Sequence, residues 1–158
     1  MALLSEDDRK VLTERFEETL ERDVKVRLFT QSAARSLLVL PGQQNAPSND
    51  SAKMTRELME ELVAMSSKLS LEVFDVFNEG ADEAKRLKIE QLPAILLGDD
   101  DEGRIRFYGA PAGNEFPTIL TGIEALSKSG PMLRAAVAIA ARDRIDEKVH
   151  LRVFVTPT

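Results

Sequence analysis

The sequence Leu92-Pro93-Ala94-Ile95-Leu96-Leu97-Gly98 decides the fold of this 158-residue chain. A proline opens a short apolar run, and a glycine ends it. Proline is tolerated at the first residue of a β-strand but not inside one, so the run predicts a strand that begins at Pro93. The peptide bond before a proline is also the one place where the cis isomer costs little free energy.

The residues after this run predict a hairpin and then a helix. Residues 98–103 (Gly-Asp-Asp-Asp-Glu-Gly) are typical of a hairpin turn, and the alternation of Ile105 and Phe107 predicts the next strand. A turn rich in glycine and proline leads from there into a helix. The apolar face of that helix is formed by Phe116, Ile119, Leu120, Ile123 and Leu126.

The stretch resembles the second half of a thioredoxin fold, in which a cis-proline opens the third strand. The string Phe107-Tyr108-Gly109-Ala110-Pro111-Ala112-Gly113-Asn114-Glu115-Phe116 is similar to a sequence in the glutaredoxin-like protein disulfide oxidoreductases, which contain two thioredoxin units. It also resembles the N-terminal domain of the alkyl hydroperoxide reductase flavoprotein subunit. Those families usually carry a histidine at the position of Asn114. The resemblance implies an α/β, thioredoxin-like fold with a mixed four-stranded sheet, flanking helices and an extra N-terminal helix.

The chain contains no cysteine. Thiol–disulfide exchange needs an attacking thiolate and a partner sulfur, so these residues cannot perform it. The resemblance places the usual Cys-x-x-Cys at the start of a helix that begins near Ser51, and Ser51 and Met54 stand about where the two thiols would be. It therefore implies a redox-inactive unit, although Ser51 also has the simpler interpretation of a helix cap.

The remaining elements follow from apolar periodicity. Ser5 predicts the N-cap of a first helix, whose apolar face carries Leu12, Phe16 and Leu20. The alternating, β-rich residues 24–30 predict the first strand. Further predictions are a helix with a buried stripe at Leu58, Leu62, Met65 and Leu69, a buried second strand through Leu71, Val73, Phe74, Val76 and Phe77, and a short helix over 81–87.

The end of the chain predicts more than one unit. We expect residues 1–130 to form the thioredoxin-like domain, with 31–50 as an inserted loop, and 131–158 to form a linker helix and one further strand. That strand alternates from Val149 to Val155. In the two-unit oxidoreductases, a strand resembling Val-Phe-Val-Thr-Pro-Thr is followed at once by Cys-Pro-x-Cys. The resemblance therefore implies a truncated second unit, with catalytic cysteines beyond Thr158.

Two other stretches are candidate binding surfaces. The resemblance implies that Pro93 shapes a peptide-binding groove, as the cis-proline does in thioredoxin relatives, and that the backbone of Leu92 offers hydrogen bonds to an extended substrate. Without thiols, a purely structural role for Pro93 is the alternative. The apolar run Leu37-Leu38-Val39-Leu40 is either a patch that recruits a partner or a segment tucked onto its own core.

Composition excludes several partners and cofactors. The net charge of −6 and the pI near 5.0 argue against nucleic acid and anionic membranes as partners. The acidic N-terminus and the lack of a long apolar run predict a cytoplasmic protein. No metal site or cofactor is expected, because His150 is the only histidine and residues 99–102 lack the spacing of a calcium loop.

Three functions remain open at this stage. The first is a scaffold or interaction unit of a disulfide oxidoreductase, whose partner is the following thioredoxin-like unit. The second is a stand-alone module that binds a peptide or another protein, with self-association as a further alternative. The third is a thiol-independent enzyme, for which the chain offers no recognisable nucleophile–base pair or cofactor motif.

Overall fold

The computed structural model describes residues 3–31, 49–98, 105–111, 113–130, 133–147 and 149. The helices are α1 (Glu6–Thr19), α2 (Asn49–Val63), α3 (Ala81–Arg86), α4 (Phe116–Ser127) and α5 (Ala135–Arg144). The strands are β1 (Val24–Thr30), β2 (Leu69–Asp75), β3 (Ala94–Leu97) and β4 (Ile105–Tyr108), and a 3₁₀ turn, Gly113–Glu115, leads into α4.

The four strands form one mixed sheet in the order β2-β1-β3-β4. Strands β1 and β2 are parallel and are joined by a crossover that contains α2, whereas β3 is antiparallel to both β1 and β4. The mixed four-stranded sheet with flanking helices confirms the fold expected from the sequence.

Strand β1 lies at the centre of two apolar clusters, because its successive side chains point to opposite faces of the sheet. Val24, Val26 and Leu28 join residues of α1, α2 and α4 in the larger cluster. Phe29 points the other way, towards α3, and stacks on Phe74 with ring centroids 4.8 Å apart. Six of the seven β1 residues are buried, so this strand anchors both layers of helices.

Helix α1 is fastened to α4 by a buried carboxylate. Ser5 caps α1 by accepting the Asp8 N–H at 3.1 Å, as its sequence position predicts. One face of α1 joins the larger cluster through Leu12 and Phe16. Arg15 donates to both Glu124 oxygens, from Nε at 2.5 Å and from Nη2 at 3.0 Å.

Two further polar contacts hold the N-terminal region in place. The hydroxyl of Ser127, which is fully buried, accepts the N–H groups of Glu21 and Arg22 at 2.7 and 2.9 Å. The carboxylate of Glu61 on α2 accepts the backbone N–H groups of Leu3 and Leu4 at 2.7 and 3.1 Å. Buried polar groups are costly unless they are hydrogen-bonded, so these contacts specify where α1 lies.

The structure corrects two predictions around β2. Helix α2 ends at Val63, so Leu69 does not belong to a helical stripe but begins the strand. Strand β2 ends at Asp75, before Val76 and Phe77, and only Leu69 within it is fully buried. The reason is that β2 lies at the edge of the sheet, where neighbours cover it less completely than they cover β1.

Several predicted features fall outside the described residues. They include Leu37, Leu38, Val39, Leu40, His150 and nearly all of the predicted C-terminal strand. The division into residues 1–130 and 131–158 stays a prediction. Among the described helices, none is long and apolar enough to cross a membrane.

The ion pair between Arg15 of α1 and the buried Glu124 of α4 predicts how stability depends on pH. The hydrogen bond from Arg15 holds the pKa of Glu124 below its ordinary value. Because the folded-state pKa is lowered, the stabilisation is complete above the unfolded-state value of about 4.3 and is lost as the pH falls through the folded-state value. Glu124→Gln should lower the free energy of unfolding by about 1 kcal/mol at pH 7 and flatten its decline below about pH 4.3.

Urea denaturation at a series of pH values measures both effects. Glu17→Gln is the matched control, because Glu17 is an exposed glutamate on α1, the helix that carries Arg15. It should reproduce the stability and the pH profile of the original chain. If the free energy of unfolding of Glu124→Gln falls with pH in parallel with that of the original chain down to pH 3, the pH dependence does not come from Glu124.

Candidate functional site

Three strand ends meet at one end of the sheet. Phe29 pairs with Ala94 in the antiparallel register of β1 and β3, so Thr30 lies beside Pro93. Tyr108 also pairs with Ala94, and the Gly109 N–H donates to the Pro93 carbonyl oxygen at 2.8 Å. One end of the sheet therefore contains the last residue of β1, the residue before β3 and the residue after β4.

The start of α2 belongs to the same end of the sheet. Because β1 and β2 are parallel, the crossover helix has to run back from the C-terminal end of β1 to the N-terminal end of β2. The first turns of α2, with the half-buried Ser51 and Met54, therefore lie at the end that carries Pro93. The fold thus gathers at one end four residues that the sequence singled out separately: Ser51, Met54, Leu92 and Pro93.

The turn into β3 combines a half-buried leucine with a buried proline. The Leu92–Pro93 peptide bond is cis, and Pro93 is buried. Leu92 is half-buried and packs against the smaller cluster, beside α3. No hydrogen bond from another described residue reaches the backbone N–H or carbonyl of Leu92. An extended segment is the kind of ligand that bonds to such groups.

Two buried hydroxyls beneath α2 were missed by the sequence reasoning. Thr30 follows Leu28 on the face of β1 that α2 covers, and Thr55 lies one turn before Met59 on the buried face of α2. Both side-chain oxygens are buried, and neither has a hydrogen-bond partner within the described chain. Most buried hydroxyls are hydrogen-bonded, so this pair is unusual. One sign of this pair was present in the sequence: each threonine stands at a position where the apolar pattern of its strand or helix would place an apolar residue.

A buried arginine on the opposite face of β1 was also missed. Arg27 points towards α3, where its Nη1 lies 3.8 Å from Oε1 of Glu83. Arg86 also donates to Glu83, at 2.8 and 2.6 Å, and this hydrogen bonding is the main reason why the pKa of Glu83 is lowered. The cluster joins α3 to the sheet, so its function is structural.

The described part of the chain shows no metal-binding group and one notable cavity away from the candidate site. No three His, Cys, Asp or Glu side chains among the described residues are placed to hold a metal ion. The cavity has a volume of about 610 Å³ and lies between α1 and the second half of α2. Its glutamates, 57, 60 and 61, lie within 4 Å of Lys53, Arg56 and Arg9 respectively. It is therefore separate from the end that carries Pro93.

The candidate site has no thiol for disulfide exchange. The sulfur of Met54 is a thioether, which forms no disulfide, and the hydroxyl of Ser51 cannot replace a thiol in exchange. What the arrangement offers is a half-open stretch of backbone at Leu92, next to the start of a helix.

Neither a protein-family model nor a curated protein matches the sequence. In structure, the chain is similar to the N-terminal domain of alkyl hydroperoxide reductase AhpF from Enterococcus faecalis, with a TM-score of 0.63 and 20% identity over 85% of this chain and 57% of that one. It is similar to a protein disulfide oxidoreductase from Aeropyrum pernix, with a TM-score of 0.65 and 24% identity over 87% of this chain and 54% of that one. This chain spans little more than half the length of either. It therefore has a thioredoxin-like fold, and it has that fold without a cysteine.

Proposed function

We propose that this chain is the redox-inactive scaffold or interaction unit of a glutaredoxin-like protein disulfide oxidoreductase in the cytoplasm. Its partner is a following thioredoxin-like unit that carries the catalytic cysteines. The chain contributes packing surface and orientation to that unit, and it contributes no redox chemistry because it has no sulfur nucleophile.

Helix α5 is the observation that carries this proposal. Its first seven residues are Ala-Ala-Val-Ala-Ile-Ala-Ala, and none of its side chains is buried. Val137 and Ile139 are 50% and 53% exposed, and two positions apart on a helix they point to nearly opposite sides. A helix that is apolar all round is normally buried, so α5 has the surface of a helix that packs against something else on more than one side.

The size of the structural neighbours supports the same proposal. This chain spans 57% of the Enterococcus faecalis domain and 54% of the Aeropyrum pernix protein. The unmatched part of each neighbour is long enough to hold a second unit of nearly similar size. Helix α5, which comes after α4, is in the right place in the sequence to be covered by such a unit.

The complete product of the natural gene tests the proposal. We expect a mass well above 17.5 kDa and a positive thiol titre after reduction. In that product, Val137→Lys and Ile139→Lys should each lower the free energy of unfolding by about 1–3 kcal/mol, because they place a charge in a packed contact.

The same substitutions in the 158-residue chain are the control, since both positions are exposed there. They should change its free energy of unfolding by less than about 0.5 kcal/mol. A gene product that ends at Thr158 without a downstream Cys-x-x-Cys would remove the catalytic partner. Equal effects of the substitutions in both forms would remove α5 as the packing surface.

A stand-alone binding module is the second candidate, and the open backbone of Leu92 favours it. An extended peptide that pairs with Leu92 would also contact the start of α2, where Ser51 and Met54 lie. The run Leu37-Leu38-Val39-Leu40 would add apolar surface for a protein partner.

Proteins bound by the immobilised chain, quantified by mass spectrometry, test this second candidate. Deletion of residues 35–47 removes the apolar run, and Leu92→Asp places a charge in the groove. Each change should reduce recovery of the main partner several-fold. Gln91→Asp is the matched control because Gln91 is exposed in the same loop, and it should leave recovery unchanged. Unchanged binding by both test variants would count against the module.

A further inference from the structure

We propose that the outer edge of β2 is a strand-pairing site, at which two copies of this chain associate through antiparallel β2 strands related by a two-fold axis. The proposal is independent of the function proposed above, because it involves neither α5 nor the end of the sheet that carries Pro93. It follows from the backbone groups that β2 leaves open and from the order of its side chains.

The direction of the backbone groups along β2 is set by its bonds to β1. The carbonyl of Lys68 accepts the Val24 N–H at 2.8 Å, and the Val76 N–H donates to the Thr30 carbonyl at 3.0 Å. Because these groups alternate in direction along a strand, even-numbered residues of β2 bond to β1 and odd-numbered residues point outwards.

The open stretch of β2 is short and well bounded. At one end the Leu69 N–H donates to Ser66, and at the other the Asp75 carbonyl accepts from Asn78 and Gly80. Between them, the outward N–H and carbonyl groups of Leu71 and Val73 receive no hydrogen bond from the rest of the described chain, and no described strand lies beyond β2. Leu69 adds one more outward carbonyl.

The two edges of the sheet differ in how they are protected. Natural proteins keep edge strands from pairing by making them short or by placing proline, lysine or a bulge in them. Strand β4 has four residues and carries Arg106, which donates to the Leu87 carbonyl at 2.7 Å. Strand β2 has seven residues and contains no proline or lysine. Its one mid-strand charge, Glu72, lies 3.1 Å from Lys25. The edge of β2 is therefore the one suited to receive another strand.

The side chains of β2 are complementary to themselves in one register. Leu69, Leu71 and Val73 face the larger cluster, while Ser70 and Glu72 lie exposed on the other face. A two-fold axis at Leu71 places Leu71 opposite its copy, Leu69 opposite Val73, and Ser70 opposite Glu72. Apolar groups then meet apolar groups, and a hydroxyl meets a carboxylate.

The two registers centred on the next residues towards the C-terminal end of β2 are less favourable. An axis at Glu72 sets two carboxylates directly opposite one another, and like charges in that position are destabilising. An axis at Val73 sets Glu72 opposite Phe74, where the carboxylate gains no polar partner. In the register centred on Leu71, the two copies of Leu71 exchange two hydrogen bonds, and each Val73 N–H donates to the Leu69 carbonyl of the other copy.

Charge substitutions at Ser70 test both the contact and its register by sedimentation velocity over a range of concentrations. One strand pair buries less surface than a standard interface, so the original chain should dimerise reversibly rather than permanently. Ser70→Lys places a lysine opposite Glu72 of the other copy, and the two-fold axis makes two such pairs. The substitution should therefore lower the dissociation constant of the dimer roughly 2- to 30-fold. Ser70→Glu creates two like-charge pairs and should weaken the dimer by a similar factor.

Three controls keep the test specific. Gln91→Lys and Gln91→Glu carry the same charges at an exposed position away from β2, and they should leave the dimerisation constant unchanged. Urea denaturation checks that each Ser70 variant is folded, because Lys25 lies beside Ser70 within the chain. Hydrogen exchange should show concentration-dependent protection of the Leu71 and Val73 amides and none of the Glu72 amide, which already bonds to β1.

The proposal is overturned by any of three results. One is a chain that stays monomeric up to roughly 1 mM, the weakest range of specific affinities. Another is a dimer whose dimerisation constant is shifted in the same direction by Ser70→Lys and Ser70→Glu, or is changed by neither. The third is protection that appears in α5 rather than at Leu71 and Val73.

Discussion

The structure depends on β1 being buried on both faces and paired along both edges. Its alternating side chains divide the apolar residues into one cluster under α1, α2 and α4 and another under α3. Its parallel partner requires a crossover helix, which brings the start of α2 to the C-terminal end of the strand. Its antiparallel partner brings Pro93 to the same end. The candidate site therefore exists because one strand has two neighbours of opposite direction.

A helix, rather than a strand, precedes β1, and this affects which strand lies at the edge of the sheet. Helix α1 packs on one face through Phe16 and is held by Glu124 and Ser127, so it does not pair with the sheet. Strand β2 is consequently left as an edge of seven residues. The same arrangement explains why β2 is only half-buried and why its outward backbone groups have no partner among the described strands.

The candidate site lies in a thioredoxin-like fold and contains no thiol. Ser51 and Met54 lie at the start of α2, close to the end of the sheet that carries the cis bond before Pro93. The hydroxyls of Thr30 and Thr55 lie buried beneath that helix without partners in the described chain. Packing within the two apolar clusters and hydrogen bonds to polar side chains, rather than covalent links, hold these parts together. The fold is thus held without a thiol, since none of those contacts involves one.

The amino-acid sequence by itself determined the features that depend on neighbours along the chain. The apolar run after Pro93 became β3, the spacing of Leu12 and Phe16 became the buried face of α1, and the absence of cysteine excluded dithiol chemistry. These follow from residue type and periodicity, which are local properties. The residues of the candidate site were also chosen from the sequence, through the resemblance of the residues around Pro93 to thioredoxin-like proteins.

Only the tertiary structure decided which elements are covered. A β-rich run does not reveal whether its strand lies at the centre or the edge of a sheet, so β2 was wrongly expected to be buried. Arginine is mostly exposed in proteins, yet Arg27 is buried because α3 lies over it and Glu83 is within reach. Helix α5 begins with seven apolar residues and yet has no buried side chain. Burial is a property of neighbours in space, and strand order and helix placement set those neighbours only when the chain folds.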